Sequence, residues 1–497
     1  MRVRLRIAWL CLVAMAGTGP PAGAATEPAY HIALSSAPVT LDPRFVTDVV
    51  SYRLVRLLFD APVDFDAQQA PVPDLTAWQR VAPDRYRFEI VRKARFSNGD
   101  PVTAADLAAT YQSVIATDSL SPHKGGFAHV ERIDIVDDRT VEFQLSRPDP
   151  LFPGRLVIGV IPEAAAARAR GEGAPPAGSG PFDFVAWPSE GQLILRRHSD
   201  GARFEFLTVK DPTVRVLKLA RGEVDLLPDG ISFELVEWMR EREGVTVIDA
   251  GGTTFSYLGV NFAHPLTGDR RLREALARAV DREAIVEHLF HGRARVGVSL
   301  LPPDHWSSDP DLRPWTYDPA RARALVDEVE AELGQPIRLT YKTSANPFRL
   351  RLATILKHMF GEVGIDTEIR SYDWGTFYAD VKAGRFELYS LSWVGLKLPD
   401  IYRYVFHSES VPPTGANRGR YENPTVDALI EAAEAAPTRV EQTPLWRAVQ
   451  RQVHADLAYI PLWYEDRVAA FRSGLQGFTL PRDGRWDALE TITRAAP

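Results

Sequence analysis

The sequence predicts an α/β protein, because segments with the two-residue period of a strand alternate along it with segments that have the period of an amphipathic helix. "YRFEIV" (residues 86–91) and "RTVEFQL" (residues 139–145) alternate apolar and polar residues as half-buried strands do. "DRRLREALARAV" (residues 269–280) instead places Leu272, Leu276, Ala279 and Val280 on one helical face. A third segment, "DPARARALVDEVEAELG", is helical in pattern and gives way to the strand-like "IRLTYKTS", the succession that a β-α-β architecture requires.

From the N-terminus, Arg2, Arg4 and Arg6 precede an apolar run from Ile7 to Ala16, and a breaker-rich segment follows that ends in Ala22-Gly23-Ala24. This is the layout of a cleaved secretory leader, residues 1–25, with the mature chain starting near Thr26. The run is too short to span a bilayer, so direct membrane insertion is not expected. Leu10, rather than a small residue, precedes Cys11, which argues against lipid attachment there. Asn98-Gly99 is a turn dipeptide, and Thr103 is a good N-cap for a helix that begins at Ala104. "RARGEGAPPAGSGPF" (residues 168–182) replaces periodic pattern with Gly, Pro and Ala and marks a loop or domain crossing. Asp281 reads as the N-cap of "REAIVEHLFH", with Gly292 placed to end that helix. Asn423 and Pro424 lead into "TVDALIEAAEAA", with the proline near the first turn.

Composition narrows the function. Fifty-eight basic residues against 65 acids give a net charge of −7 over 497 residues, and loss of the leader's arginines makes the mature chain more acidic still. That balance favours solubility and argues against nucleic acid as a partner. The one cysteine lies in the leader, so the mature chain has neither disulfides nor thiolate metal sites. No phosphate-cradling, zinc-protease or nucleophile-elbow motif is present, which weakens an enzyme reading and leaves no cofactor to expect. His288, His291 and Glu287 have a spacing that suits a metal, but the last turn of a helix favours such residues in any case, so no metal site is assigned.

"YRFEIVRKARFSNGDPVTAADL", "LDP" (residues 41–43), "DDRTVEFQL", "GSGPFDFVAW", "ARGEVDLL", "FSYLGVNFAHPL", "RLREALARAVDREAIVEHLFHG" and "GRYENPTVDALI" together resemble the periplasmic solute-binding proteins of ABC importers, in particular their oligopeptide and dipeptide class. The likeness spans nearly the whole mature chain. It implies a two-lobe hinged clamp with an extra subdomain inserted in the first lobe. On that pattern the first lobe comprises residues 26–62, 176–260 and 466–497, the inserted subdomain 63–175 and the second lobe 261–465. The function implied is a periplasmic receptor, monomeric and without catalysis, that delivers a short peptide or a peptide-like or anionic small molecule to the membrane permease subunits. A receptor for a metal chelate or sugar derivative, or a periplasmic enzyme or chaperone on the same fold, are the alternatives.

The resemblance also implies where solute is held. The family's ligand-facing positions fall here on Ser51, Tyr52 and Arg53 after "LDP", on Trp374 in "YDWGTF", on Trp393, and on Trp463 and Tyr464 in "IPLWYED"; Tyr257 and His123 are further candidates. In the peptide receptors, an Asp shortly after the tryptophan equivalent to Trp393 accepts the solute's α-ammonium. Here "SWVGLKLPD" has Leu396 and Lys397 in that place. Leucine cannot neutralise a buried ammonium. Asp400 could supply the acid from four residues further on, or Lys397 and Arg53 could select an anionic solute, or Lys397 could point into water from a loop.

Overall fold

Two strands set the architecture: Val245–Val260, sixteen residues long, and the antiparallel Ile460–Arg472, thirteen residues long. Each is long enough to belong to two bodies at once. The computed structural model describes residues 29–168 and 175–495; the leader with Cys11, the start near Thr26 and part of the glycine-rich crossing lie outside the described residues.

At one end of the pair, Val245 to Ala250 lie beside Arg472 to Arg467, and the sheet continues through Leu226–Leu227, Tyr30–Leu34, Arg203–Thr208, Gln192–Arg197 and Phe182–Ser189. Its faces are covered by two apolar clusters, one including Ile32, Leu54, Phe204 and Trp486, the other Val216, Leu219, Val236 and Ala470. At the other end, Phe255 to Val260 pair with Trp393 to Leu388, and Arg338–Ser344 and Asp366–Tyr372 extend the sheet as parallel strands. Here too the faces carry separate cores: Leu258, Leu276, Val326, Leu356 and Trp463 on one, Tyr257, Tyr389, Tyr402, Trp446 and Tyr464 on the other. Successive strand residues point to opposite faces, which is why the neighbours Trp463 and Tyr464 enter different cores. The result is an α/β two-lobe clamp whose lobes share one sheet through the crossing strands.

Between the lobes the register breaks, with Ala250 and Thr254 on either side of Gly251, Gly252 and Thr253. A Cβ on Gly252 would stand 2.0 Å from the Glu465 carbonyl oxygen, so only glycine lets the two strands pass this closely. Side chains fasten the irregular backbone: Gly252 N–H donates to Asp466 at 3.2 Å, Arg295 Nε donates to the same carboxylate at 3.1 Å, and Arg482 Nε donates to the Gly251 carbonyl at 3.2 Å.

A further body precedes the crossing. Thr76–Ala82, Arg85–Ile90, Thr140–Leu145 and Val130–Asp137 form a four-stranded antiparallel sheet in that order. Helix Ala104–Ile115 joins its core of Phe88, Leu107, Tyr111, Phe143 and Phe152. The helix starts where its sequence predicts: Asp106 accepts from both the backbone N–H and the hydroxyl of Thr103, at 2.9 and 2.8 Å. One predicted end moves. The helix capped by Asp281 is Arg282–His288, stopping ahead of Gly292, because buried Leu289 and Phe290 turn into the core and both His291 and Gly292 take positive φ.

Candidate functional site between the lobes

A cavity of about 490 Å³ lies against the register break, lined by both lobes. The first lobe contributes Arg215 and Asp229 to Glu234, the second Asn346, Phe348 and Arg349, and the crossing strands Thr254 and Glu465 to Val468. Most charges on these walls are matched within the protein. Asp229 pairs with buried Arg53 and stands 3.9 Å from Arg467, whose guanidinium burial pulls down to about 10. Glu234 pairs across the lobes with Arg351, and Asp466 with Arg295. Arg215 donates to the backbone carbonyls of Val209, Lys210 and Gly230.

A second interlobe zone surrounds "SWVGLKLPD". Its strand ends at Trp393, and Gly395 turns the chain at φ 72° so that Leu396 to Asp400 reach across to the other lobe. Lys397 Nζ stands 3.2 Å from Asp483 and 4.8 Å from the centre of the Phe65 ring, with both charged side chains nearly buried. Burial would raise the Asp483 carboxyl, but Lys397 and Arg485 beside it outweigh this and hold it below the usual carboxylate range. Arg485 continues the network to Asp64, and Asp64 to Arg56. Asp400 accepts from Arg155 at 2.5 Å, and Arg155 also binds Asp149 at 2.8 Å. Leu398 packs on Gly154 so closely that a Cβ there would stand 2.9 Å from a leucine methyl.

The sequence-derived residues are thus distributed over distinct places. Lys397 does not point into water; it and Asp400 are each held by a partner on the opposite side of the cleft. Arg53 lies behind the cavity, bound to Asp229 with its guanidinium 5.3 Å from the Trp486 ring centre. Ser51 is fully buried and accepts from the N–H groups of Val39 and Thr40, tying down the segment after the first strand. Tyr52 and His123 line a different cavity, of about 390 Å³, between the first lobe and the four-stranded body, where burial lowers the histidine pKa.

The aromatics divide similarly. Tyr257 stacks on Tyr459 at 3.9 Å and accepts from Arg418, Trp463 packs on Phe290, and the Tyr464 hydroxyl donates to the Leu301 carbonyl at 3.0 Å. All three are buried in the second lobe and present no surface to either large cavity. Trp393 is half-buried beside Arg418 and Tyr404, and Trp374 stands 58% exposed, stacked on Tyr378.

Sequence reasoning passed over Arg349, Glu465 and Asp483. Arg349 had a signal: Asn346-Pro347 is an N-cap and first-turn pair, and it places Arg349 in the opening turn of helix Pro347–Glu362 at the cavity. Glu465 follows the Trp463-Tyr464 pair directly, but only the strand crossing shows that this position leaves the core and reaches the cleft.

The model for bacterial extracellular solute-binding proteins, family 5, matches residues 70–410, more than half of the chain. The chain belongs to that family. Di/tripeptide-binding protein 2 of Pseudomonas aeruginosa is 26% identical over 492 residues, covering 90% of this chain and 92% of its own. NikA from Brucella suis in complex with Fe(III)-EDTA superposes with a TM-score of 0.85 at 19% identity, over 94% of this chain and 100% of that one. The oligopeptide-binding protein AppA from Bacillus subtilis, in complex with a nonapeptide, gives a TM-score of 0.80 at 19% identity, over 94% and 99%. Among the described residues no helix is long and apolar enough to cross a membrane, and no group of three or more His, Cys, Asp or Glu side chains is placed to hold a metal ion.

Proposed function

We propose that the protein is a periplasmic receptor of an ABC importer that takes a short peptide or peptide-like solute into the cavity between its lobes and presents the closed clamp to the permease subunits. The observation that carries the reading is the roughly 490 Å³ cavity at the register break, walled by both lobes and by the two strands that join them. A solute there touches both lobes, so it favours the closed form by whatever contacts the open form lacks. The relatives named for di- and tripeptides support the solute class. The lobes are assigned as residues 26–62, 176–260 and 466–497 for the first and 261–465 for the second, with 63–175 inserted; the separate apolar cores support this division except at two boundaries, where Phe255, Tyr257, Leu258 and Val260 pack into the second lobe and Ile161 and Ala165 into the first. The receptor acts as a monomer, carries out no reaction itself, and reaches the periplasm by removal of residues 1–25.

Protein purified from the periplasm, gently denatured and examined by mass spectrometry, is expected to release a peptide or peptide-like molecule. N-terminal sequencing of the same material is expected to begin near Thr26. A mature fraction that retains Met1, or that neither carries nor takes up any small solute, overturns the assignment.

A further inference from the structure

Among the described residues three charges on the cavity wall have no ion-pair partner: Arg215, whose terminal nitrogens are taken by backbone carbonyls, Arg349 and Glu465. Arg349 donates from one terminal nitrogen to the Ser392 hydroxyl at 2.9 Å, while its other terminal nitrogen is buried with no hydrogen-bond partner. Glu465 takes its hydrogen bond from a hydroxyl rather than a cation: Ser256 Oγ lies 2.8 Å from Oε1. The two serines lie 2.6 Å apart, so Arg349, Ser392, Ser256 and Glu465 form one line with a cation at one end and an anion at the other. Three neighbouring strands hold it: Ser256 on one crossing strand, Glu465 on the other, and Ser392 on the strand paired with the first. Arg215 and Arg467 on the same wall each keep a buried Nε without a partner, but Arg349 alone of the three keeps a buried terminal nitrogen so, and a terminal nitrogen that is costly to leave unpaired is suited to an acceptor that arrives from outside.

We propose that Arg349 and Glu465 are the two poles of the solute site and that the solute is a zwitterion, its carboxylate at Arg349 and its ammonium at Glu465. The inference rests on reading this cavity as the solute site. The buried guanidinium nitrogen is a charge-assisted donor for a carboxylate, and Arg349 lies in the first turn of its helix, where the aligned peptide dipoles add to the positive field. Glu465 supplies on a crossing strand the acid that Leu396 cannot supply after Trp393. Lys397, the cation beside that position, is taken by Asp483, and Asp400 by Arg155, so neither is left to set the polarity. The two poles are separated by only two hydroxyl links, a span on the scale of an amino-acid or dipeptide backbone, which is where the small volume and the charge pattern agree.

The test uses the full mature protein, freed of bound solute, and three probes in calorimetry: alanyl-alanine, its N-acetylated form and its C-terminal amide. Wild type is expected to bind the free dipeptide about tenfold or more tightly than either blocked form. Glu465→Gln should bind the free and acetylated forms alike while still discriminating against the amide. Arg349→Gln should show the converse, and Arg349→Lys should restore part of the discrimination against the amide. Should either variant fail to fold, the wild-type comparison of the three probes still decides. Equal binding of all three, or variants that discriminate as wild type does, overturns the proposal. Wild type that binds none of the probes overturns it too, while a different solute released from the purified protein leaves the receptor reading standing.

Discussion

Lys397→Met tests whether the cleft is held shut by the protein's own charges. Methionine keeps the aliphatic stem against Phe65 and removes only the ammonium. The Lys397 and Asp483 side chains are 11% and 8% exposed, so the pair is a desolvated charge-assisted contact that exists only while the lobes touch. Such a contact contributes about 1.5–3 kcal/mol. Arg485 Nε still faces Asp483 at 2.9 Å, so no charge is left wholly unpaired and the lower half of that range applies. At about 1.4 kcal/mol per factor of ten, the closed-to-open ratio should fall by about tenfold, and by less than a hundredfold. Small-angle scattering is expected to show a larger radius of gyration for the variant without solute and near wild-type compaction with saturating solute. The double variant Lys397→Met/Asp483→Asn, which also removes the acid left behind, should recover part of the compaction. Scattering identical to wild type in both conditions would refute the idea that this pair holds the lobes. Unchanged scattering with weakened solute binding would instead make Lys397 a solute contact.

Three further outcomes follow from the same geometry. Gly154→Val places branched carbons against Leu398 and should oppose closure, seen as an expanded particle that solute compacts poorly. Gly252→Ala drives a methyl into the Glu465 carbonyl and should lower Tm and disturb the pairing of the crossing strands, with hydrogen exchange rising at Thr254 and Glu465. His305 is buried, and that burial lowers its pKa to about 4 although the Lys397 carbonyl favours the proton. The unfolded chain therefore binds more protons between about pH 6.5 and 4, and stability should fall by about 3 kcal/mol as pH drops through that window. His305→Gln does not titrate and should show a shallower fall in urea unfolding at a series of pH values; parallel curves would count against the assignment.

The sequence by itself determined the periodic elements, the caps and the family. Thr103 with Asp106, Asn423 before Pro424 and the amphipathic pattern of residues 269–280 are local signals, and local backbone chemistry suffices to read them. It also showed that an acid was missing after Trp393. What it could not determine was where the charges of that region would find partners, because Lys397 and Asp483, or Asp400 and Arg155, are far apart in the chain and meet only when the lobes come together. Nor could it separate core aromatics from cleft aromatics: Trp463 and Trp374 read alike in one dimension, yet one is sealed in the second lobe and the other stands in solvent. The same strand period that sends Trp463 and Tyr464 to opposite cores ends at the register break, where Glu465 and Arg349 come to share one cavity. Tertiary structure decided that arrangement because the electrostatic balance of a cleft depends on every charge that folding brings to its walls.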